Sequence, residues 1–211
     1  MSVIPFISAA KIAGLSTTTF SGLKTTSIAA FATTHVAALK ADQVNALTST
    51  ALQYLVAAQV QAISSTTMSG LIEAQIQAFT TTQITELTST QVNALTAIEI
   101  GALSSAELQN LSTTQANALT AAQIGSLSTT VLNNLTTTQV AGLAATEVAA
   151  LNASQIDQLT TTELQNLSTT QANALTAAQI GSLSTTVLNN LTTTQVAVSY
   201  THLTLPTKRI V

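Results

Sequence analysis

An eight-residue repeat runs through almost the whole chain without an insertion or a deletion. It is clear in residues 87–94, L-T-S-T-Q-V-N-A, and it starts again at Leu95. When the leading leucine is position 1, one register holds from Ile7 to Leu191, and all 24 residues at position 1 are Leu, Ile or Phe. Position 6 is apolar in every octad. A repeat this regular predicts a stacked array, because one unit cannot bury its apolar face alone.

Each octad carries the signature of a helix N-terminus. Position 2 is Ser, Thr or Asn in 18 of the 24 octads, and position 5 is Gln or Glu in 16. This spacing is a capping box, in which the hydroxyl accepts from the N–H three residues on and the Gln or Glu reaches back to the N–H of the cap residue. Positions 1 and 6, such as Leu87 and Val92, then form a hydrophobic staple around the cap. We therefore expect one short helix in every octad.

Glycine and asparagine mark the end of each unit. All seven glycines and ten of the eleven Asn lie at position 7 or 8. Gly and Asn are the residues that most readily adopt the left-handed backbone that closes many helices. The pattern predicts a cap, about one and a half turns of helix, and a left-handed stop.

These features predict an all-α solenoid of very short capped helices, one for each eight-residue repeat. A β-solenoid is the alternative, because Thr, Val and Ile favour strands and Gly and Asn also suit corners. Positions 1 and 6 have opposite parity, however, so a straight strand cannot bury both, and Gln, Glu, Ala and Leu are helix formers. One continuous helix is excluded, since eight residues turn a helix by about 800° and the apolar stripe would drift by about 80° per unit.

The amino-acid composition excludes several classes of function. The chain of 211 residues has no Cys, which excludes a disulfide framework and a thiolate site. It has no apolar run long enough to span a membrane. The repeat region has three Lys against eight acids, too few cations to follow a phosphate backbone. We expect neither membrane insertion nor nucleic-acid binding, and only a thin core made by positions 1 and 6.

Three segments differ in how closely they follow the repeat. Residues 1–39 keep the register but vary at positions 2 and 5, which is typical of capping repeats at the end of a solenoid. Residues 40–197 form the regular octapeptide solenoid. Residues 198–211 break the register, and residues 198–207, V-S-Y-T-H-L-T-L-P-T, resemble a translated transposase adaptor used in sequencing libraries. We expect 198–211 to be a non-biological, disordered tail and the natural protein to continue into C-terminal domains that are missing here.

A block of 35 residues, 107–141, recurs letter for letter as 163–197. Such identity indicates either a recent duplication or an artefact of assembling repetitive DNA. The offset is seven octads, an odd number, so a coil of two octads would place the second copy half a coil out of phase. The simplest interpretation is that all octads are equivalent.

No cluster of catalytic or metal-ligating side chains stands out, so we predict no enzyme, no cofactor and no metal site. We expect His35, at position 5, to be a solvent-facing substitute for Gln. Glu99 and Glu107 are one octad apart, but both are at position 5, where the capping box explains them. The eight acids are spread over many octads: Asp42, Glu73, Glu86, Glu99, Glu107, Glu147, Asp157 and Glu163.

Two surface patterns follow from the repeat itself. A helix-end Asn followed by Leu and a Ser or Thr cap produces an N-x-S/T sequon automatically, so we do not expect glycosylation. Runs of Thr such as 192–194 differ from an ice-binding face, which needs Thr at every second residue of a flat strand, so we do not expect ice binding. The sequons begin at Asn110, Asn134, Asn152, Asn166 and Asn190.

The repeat resembles the octapeptide arrays of very large bacterial proteins described as adhesin-like or secreted repeat proteins. Runs of L-[ST]-x-x-[QE]-[VIL]-x-x, as in 119–126 and 135–142, carry the resemblance, which covers residues 7–197. It implies a structural spacer outside the cell or at its surface, exported through a C-terminal signal, because the opening residues lack a secretory signal pattern. A cytoplasmic location stays open. The alternative function is a binding module that recognises a cell-surface protein or a glycan through its polar face.

Overall fold

The chain folds into short helices joined by extended residues. The computed structural model describes residues 7–195, and within these residues it contains no strand. The predicted all-α fold is therefore confirmed, and the tail at 198–211 lies outside the described residues. The complete helices in this part of the chain are α1 Ala9–Ala13, α2 Thr17–Ser21, α3 Thr25–Ala29, α4 Thr33–Ala37, α5 Ala41–Asn45, α6 Ser49–Gln53, α7 Ala57–Ala62, α8 Ser65–Met68, α9 Glu73–Ile76, α10 Thr81–Thr85, α11 Ser89–Ala94, α12 Ala97–Gly101, α13 Ser105–Asn110, α14 Thr113–Ala116, α15 Ala121–Ser126, α16 Thr129–Leu132, α17 Thr137–Gly142, α18 Ala145–Ala150, α19 Ala153–Asp157, α20 Thr161–Asn166, α21 Thr169–Ala174, α22 Ala177–Ser182 and α23 Thr185–Asn190.

Each helix starts as the capping box predicts. The residue at position 2 has an extended backbone, and wherever it is Ser, Thr or Asn its side chain accepts from the N–H at position 5. At α11, Thr88 Oγ1 accepts from the N–H of Gln91 at 3.2 Å, and Gln91 Oε1 accepts from the N–H of Thr88 at 2.9 Å. Where position 2 is Lys40, Val56 or Ala144, the second of these two bonds is retained.

Within each compact unit a coil of the solenoid contains three octads, because helices that are three places apart along the chain pack on one another. The chain divides into two compact units, Met1–Ala118 and Leu119–Val211. In the first unit α1 packs on α4, α4 on α7, and α8 on α11, which packs on α14. In the second unit α15 packs on α18, α18 on α21, and α17 on α20, which packs on α23. We call octads that are three apart, and therefore lie on successive coils of one unit, a stack.

The core of each unit is a column of apolar side chains from positions 1 and 6. Position 6 is at most 1% exposed in every octad from Ile12 to Ala172, and position 1 is buried from Phe31 to Leu183. Burial of one Val, Leu or Ile side chain contributes about 1.5–3 kcal/mol. Each octad adds its own pair of such residues, so stability grows along the array and does not depend on one central cluster.

The predicted left-handed stop is wrong. No residue in the described part of the chain has a positive φ. Helix α11 instead ends at Leu95, position 1 of the next octad, with an extended backbone at φ −63° and ψ 143°. The Asn residues at position 7 have another use, since the Nδ2 atoms of Asn45 and Asn93 donate to the carbonyls of Gly70 and Ala118, 25 residues further on. They join successive coils.

Two glycines allow successive coils to approach closely. A Cβ atom on Gly125 would lie 2.8 Å from the carbonyl oxygen of Ala150, and a Cβ atom on Gly70 would lie 2.7 Å from the Cβ of Ala41. Both distances are shorter than real contacts of a Cβ atom. At Gly101, by contrast, an added Cβ would meet no atom within 4 Å.

Gly125→Ala should therefore destabilise the second unit, because the new methyl group must displace the Ala150 carbonyl. Overpacking of this kind costs about 1–3 kcal/mol. Gly101→Ala is the matched control, and we expect it to be neutral or to stabilise by about 0.5–1 kcal/mol, since Ala loses less entropy in a helix. Urea unfolding followed by far-UV circular dichroism measures both variants. Equal midpoints for the two would contradict the close approach of the coils.

Candidate functional site

The glutamine and glutamate side chains at position 5 are buried, which the sequence pattern did not reveal. Gln91 is only 2% exposed. Its Oε1 accepts from the N–H of its own cap residue, and its Nε2 donates to the carbonyls of Ile63 and Val60 on the preceding coil, at 2.8 and 2.7 Å. We call this repeated set of bonds the amide ladder. Equivalent bonds to the carbonyl 28 residues earlier are made by Gln43 to Leu15, Gln59 to Phe31, Gln75 to Leu47, Gln83 to Leu55, Gln115 to Leu87, Gln155 to Leu127, Gln171 to Leu143 and Gln195 to Leu167.

The amide ladder explains why no left-handed stop is needed. The last carbonyls of a helix have no partner within the helix, and they are commonly satisfied by a left-handed turn. Here the carbonyl of the closing residue, such as Ile63, accepts from the glutamine amide of the next coil. One glutamine side chain thus satisfies an N–H at the start of its own helix and a carbonyl at the end of another.

His35 and Thr67 replace glutamine in the first unit. His35 is 6% exposed, so the prediction that it faces solvent is wrong, although it does take the place of Gln: its Nδ1 accepts from the N–H of Ala32 at 3.1 Å. The ring is buried because position 5 lies between coils in this fold, and it packs edge to face on Phe31, with 6.1 Å between ring centres. Thr67 is shorter, and its hydroxyl donates to the carbonyl of Leu39 at 2.6 Å.

Four glutamates take the same position but lack the amide donor. Glu99, Glu107, Glu147 and Glu163 are all buried, and each uses Oε2 to accept from the N–H of its cap residue. In two of them the cap hydroxyl also donates to Oε2 at 2.8 Å, from Ser104 to Glu107 and from Thr160 to Glu163. The four sites are therefore not equivalent in the donors that they offer to a carboxylate.

Burial raises the pKa of the Glu147 carboxyl above its ordinary value of 4.5, and the bond from the N–H of Ala144 lowers it in part. The cap residue at this site is alanine, which has no hydroxyl to donate. The Oε1 atom of Glu99 is buried and has no hydrogen-bond partner. Of the four glutamates, these two accept the fewest hydrogen bonds at the carboxyl group.

The remaining acids stay at the surface or near it. Asp157 accepts from the N–H of Ser184 at 3.1 Å, and Glu86 accepts from the side-chain amide of Gln61 at 3.3 Å. Within residues 7–195 no group of three or more His, Cys, Asp or Glu lies close enough together to hold a metal ion. In the same part of the chain no helix is both long and apolar enough to cross a membrane.

In each unit, three successive coils of one stack carry Ser or Thr at positions 2, 3 and 4. In the first unit these are residues 64–66, 88–90 and 112–114, at the starts of α8, α11 and α14, which pack on one another. In the second unit they are residues 136–138, 160–162 and 184–185, at the starts of α17, α20 and α23. Each of these residues is Ser or Thr and is exposed or half-buried. We call each set the hydroxyl face of its unit. In the first unit the coil before this face, whose α5 packs on α8, has Lys40, Ala41 and Asp42 at positions 2, 3 and 4.

The sequon asparagines have local structural partners. Asn110 and Asn166 donate from Nδ2 to the carbonyls of Ala106 and Thr162, one helical turn back, at 2.7 and 2.8 Å. Asn152 is the cap residue of α19, and its Oδ1 accepts from the N–H of Gln155 at 3.0 Å. That glycosylation is absent stays a prediction.

Helices of four to six residues, repeated every eight residues and stacked in coils, define the chain as a repeat protein of the all-α solenoid class. Residues 99–129 match the family model of the ALTTAQ repeat. The letters of that description recur at 118–123 as A-L-T-A-A-Q, with one difference, and they end at the buried glutamine of position 5. No curated protein matches the chain.

Gln91→Ala should disrupt the first unit, because it leaves the N–H of Thr88 and the carbonyl of Ile63 without partners. Each buried unsatisfied group costs about 1–3 kcal/mol, so we expect a loss of about 2–4 kcal/mol in the free energy of unfolding. Gln61→Ala removes an exposed amide of the same size and should change stability by no more than about 0.5 kcal/mol. Urea unfolding of both variants tests this, and similar losses for the two would refute the amide ladder as a source of stability.

Proposed function

We propose that the chain is a structural spacer, part of a larger bacterial surface or secreted protein of adhesin-like type, and that it performs no catalysis. The observation that supports this most directly is the amide ladder. Every octad that carries it bonds to the preceding coil through the same buried groups, so the array can be lengthened by whole octads without a change in its internal bonding. Such a design suits a part whose length matters more than any one residue.

The distribution of polar side chains also favours a spacer. The charged residues of 41–195 are all acidic and lie on many octads, and the structure brings no three of the described ones together. A site for a reaction needs several convergent groups. The resemblance of the repeat to adhesin-like arrays agrees with a location outside the cell or at its surface.

A binding module is the second candidate, and the hydroxyl face of each unit is the observation that favours it. In the three successive coils of each such face the described residues at positions 2–4 are all Ser or Thr, whereas other stacks mix them with Ala, Ile and Glu. A spacer does not require three successive coils of one stack to be uniform. An uncharged hydroxyl surface would suit a glycan, which offers hydroxyl groups of its own as hydrogen-bond partners.

Two deletions in the first unit separate the two functions. Removal of residues 87–110 takes out one whole coil and leaves the hydroxyl face with residues 64–66 and 112–114 in one stack. Removal of residues 87–94 takes out one octad and brings residues 96–98, Thr-Ala-Ile, into that stack. For a spacer we expect both proteins to fold, and small-angle X-ray scattering to show the one-coil deletion shorter by about 8–10 Å, the usual distance between packed helices.

Binding to immobilised polysaccharides and cell-surface glycans is measured on the same three proteins. A spacer gives no binding for the full chain or for either deletion. If the full chain and the one-coil deletion bind and the one-octad deletion binds more weakly than the one-coil deletion, because only the hydroxyl face of the second unit is left intact, the spacer proposal fails and the hydroxyl face is a binding surface.

A further inference from the structure

Glu99 and Glu147 occupy places that the fold builds for an amide. At the equivalent position of the neighbouring stacks, the glutamine Nε2 lies 2.8 Å from the carbonyl 28 residues earlier in Gln83 and 2.9 Å in Gln155. An ionised carboxylate at this place has no hydrogen to donate, and the backbone carbonyl that would face it has none either. Two acceptors then face each other in a buried site.

No basic group is available to neutralise these carboxylates. The sequence has no Lys, Arg or His between residues 41 and 195. The helices packed on α18, which carries Glu147, are α15 and α21, and neither holds an ionisable side chain. Ionised Glu147 would therefore be buried without a counter-charge.

We propose that Glu147 binds a proton in the folded solenoid and uses it as the amide ladder uses its N–H. The protonated carboxyl donates through Oε1 to the carbonyl 28 residues earlier, that of Leu119. Its Oε2 continues to accept from the N–H of the cap residue. A carboxylic acid has one donor and one acceptor in the arrangement of a primary amide, so the proton completes the ladder without a change in the fold.

Geometry favours a proton over a metal ion at this place. The glutamine nitrogen and its carbonyl are 2.7–3.0 Å apart along the ladder, as in Gln59 and Gln75. A hydrogen bond between two oxygens has this length. A calcium ion takes six to eight oxygen ligands, whereas within residues 7–195 no three His, Cys, Asp or Glu side chains lie close enough together to hold a metal ion.

Glu107 and Glu163 differ from Glu147 in the donors that reach the carboxyl group. Their carboxylates accept from both the N–H and the hydroxyl of the cap residue. At Glu147 the cap residue is Ala144, so only its N–H reaches the carboxyl. We therefore assign the proton site to Glu147.

Proton uptake on folding makes acid stabilise the solenoid. Because burial raises the pKa of Glu147 in the folded chain above 4.5, the contribution of the proton is fully present below pH 4.5 and is lost as the pH rises through the folded value. Unlike most proteins with paired carboxylates, this chain should then be more stable at mildly acidic pH than at neutral pH.

The test is urea unfolding of the full chain and of the variants Glu147→Gln and Ala144→Ser between pH 4 and pH 8. We expect the wild-type midpoint to fall as the pH rises. Glu147→Gln should have the higher midpoint at pH 7, with a melting temperature raised by about 2–4 °C, and should match wild type at pH 4. Ala144→Ser supplies the missing cap hydroxyl and should raise the midpoint more at pH 7 than at pH 4.

Infrared spectroscopy gives a readout that a purely structural role would not change. A protonated carboxylic acid has its own carbonyl stretch, and we expect this band to persist to a higher pH in the wild type than in Glu147→Gln. If the band is lost over the same pH range in both proteins, or if Glu147→Gln keeps the full pH slope, the proposal is overturned. It is also overturned if added sodium or calcium chloride raises the wild-type midpoint at pH 7 to the Glu147→Gln value, since the sites then bind a cation.

Discussion

The hydrogen bonds of the position-5 side chain are the constraint on which this fold depends. A helix of four to six residues leaves most of its N–H and C=O groups without partners inside the helix, and isolated helices shorter than about 12–15 residues are marginal in water. Such helices survive here because a side chain such as Gln91 satisfies an N–H at the start of its own helix and a carbonyl that closes another. Burial of the side chains at positions 1 and 6 provides the apolar contribution to stability, but it provides no hydrogen-bond partners for the N–H and C=O groups at the helix ends.

In a coil of three octads, the residues that bond one coil to the next and the residues that form the exposed surface occupy different positions of the repeat. The apolar residues at positions 1 and 6 and the glutamines at position 5 point inward, so the octads that carry glutamine share the same bonds between coils. Positions 2–4 differ between stacks, and the hydroxyl face of each unit is the clearest case. The buried positions of the repeat thus determine the packing, and positions 2–4 determine the surface. A substitution at a surface position leaves the packing unchanged unless it falls on position 2, which is exposed and also caps the helix.

Much of the fold could be predicted from the octad, because caps and apolar spacing act within eight residues. Thr88 and Gln91 identify the start of α11 in the sequence alone. The burial of Gln91 could not be predicted in this way, since the capping box accounts for its oxygen and leaves its nitrogen unexplained, and that nitrogen bonds 28 and 31 residues back. The expectation that His35 faces solvent was wrong for the same reason, since the burial of position 5 could not be predicted from the capping box. A repeat of equivalent units also gives no indication of which unit packs on which, so the number of octads in a coil was open until the helix contacts were known.

The 35-residue block that occurs twice shows how the duplication of octads affects the surface when a coil contains three octads. Its copies are seven octads apart, which is two coils and one octad. Octad 111–118 lies in the hydroxyl-face stack of the first unit, whereas its copy, 167–174, packs through α21 on α18, outside the hydroxyl-face stack of the second unit. Gln115 and Gln171 nevertheless make the same bond of 2.8 Å to the preceding coil. A gene of this kind can gain or lose any whole number of octads by unequal recombination and still encode a folded chain, but the descendant keeps the surface pattern of its parent only when the change is a whole number of coils.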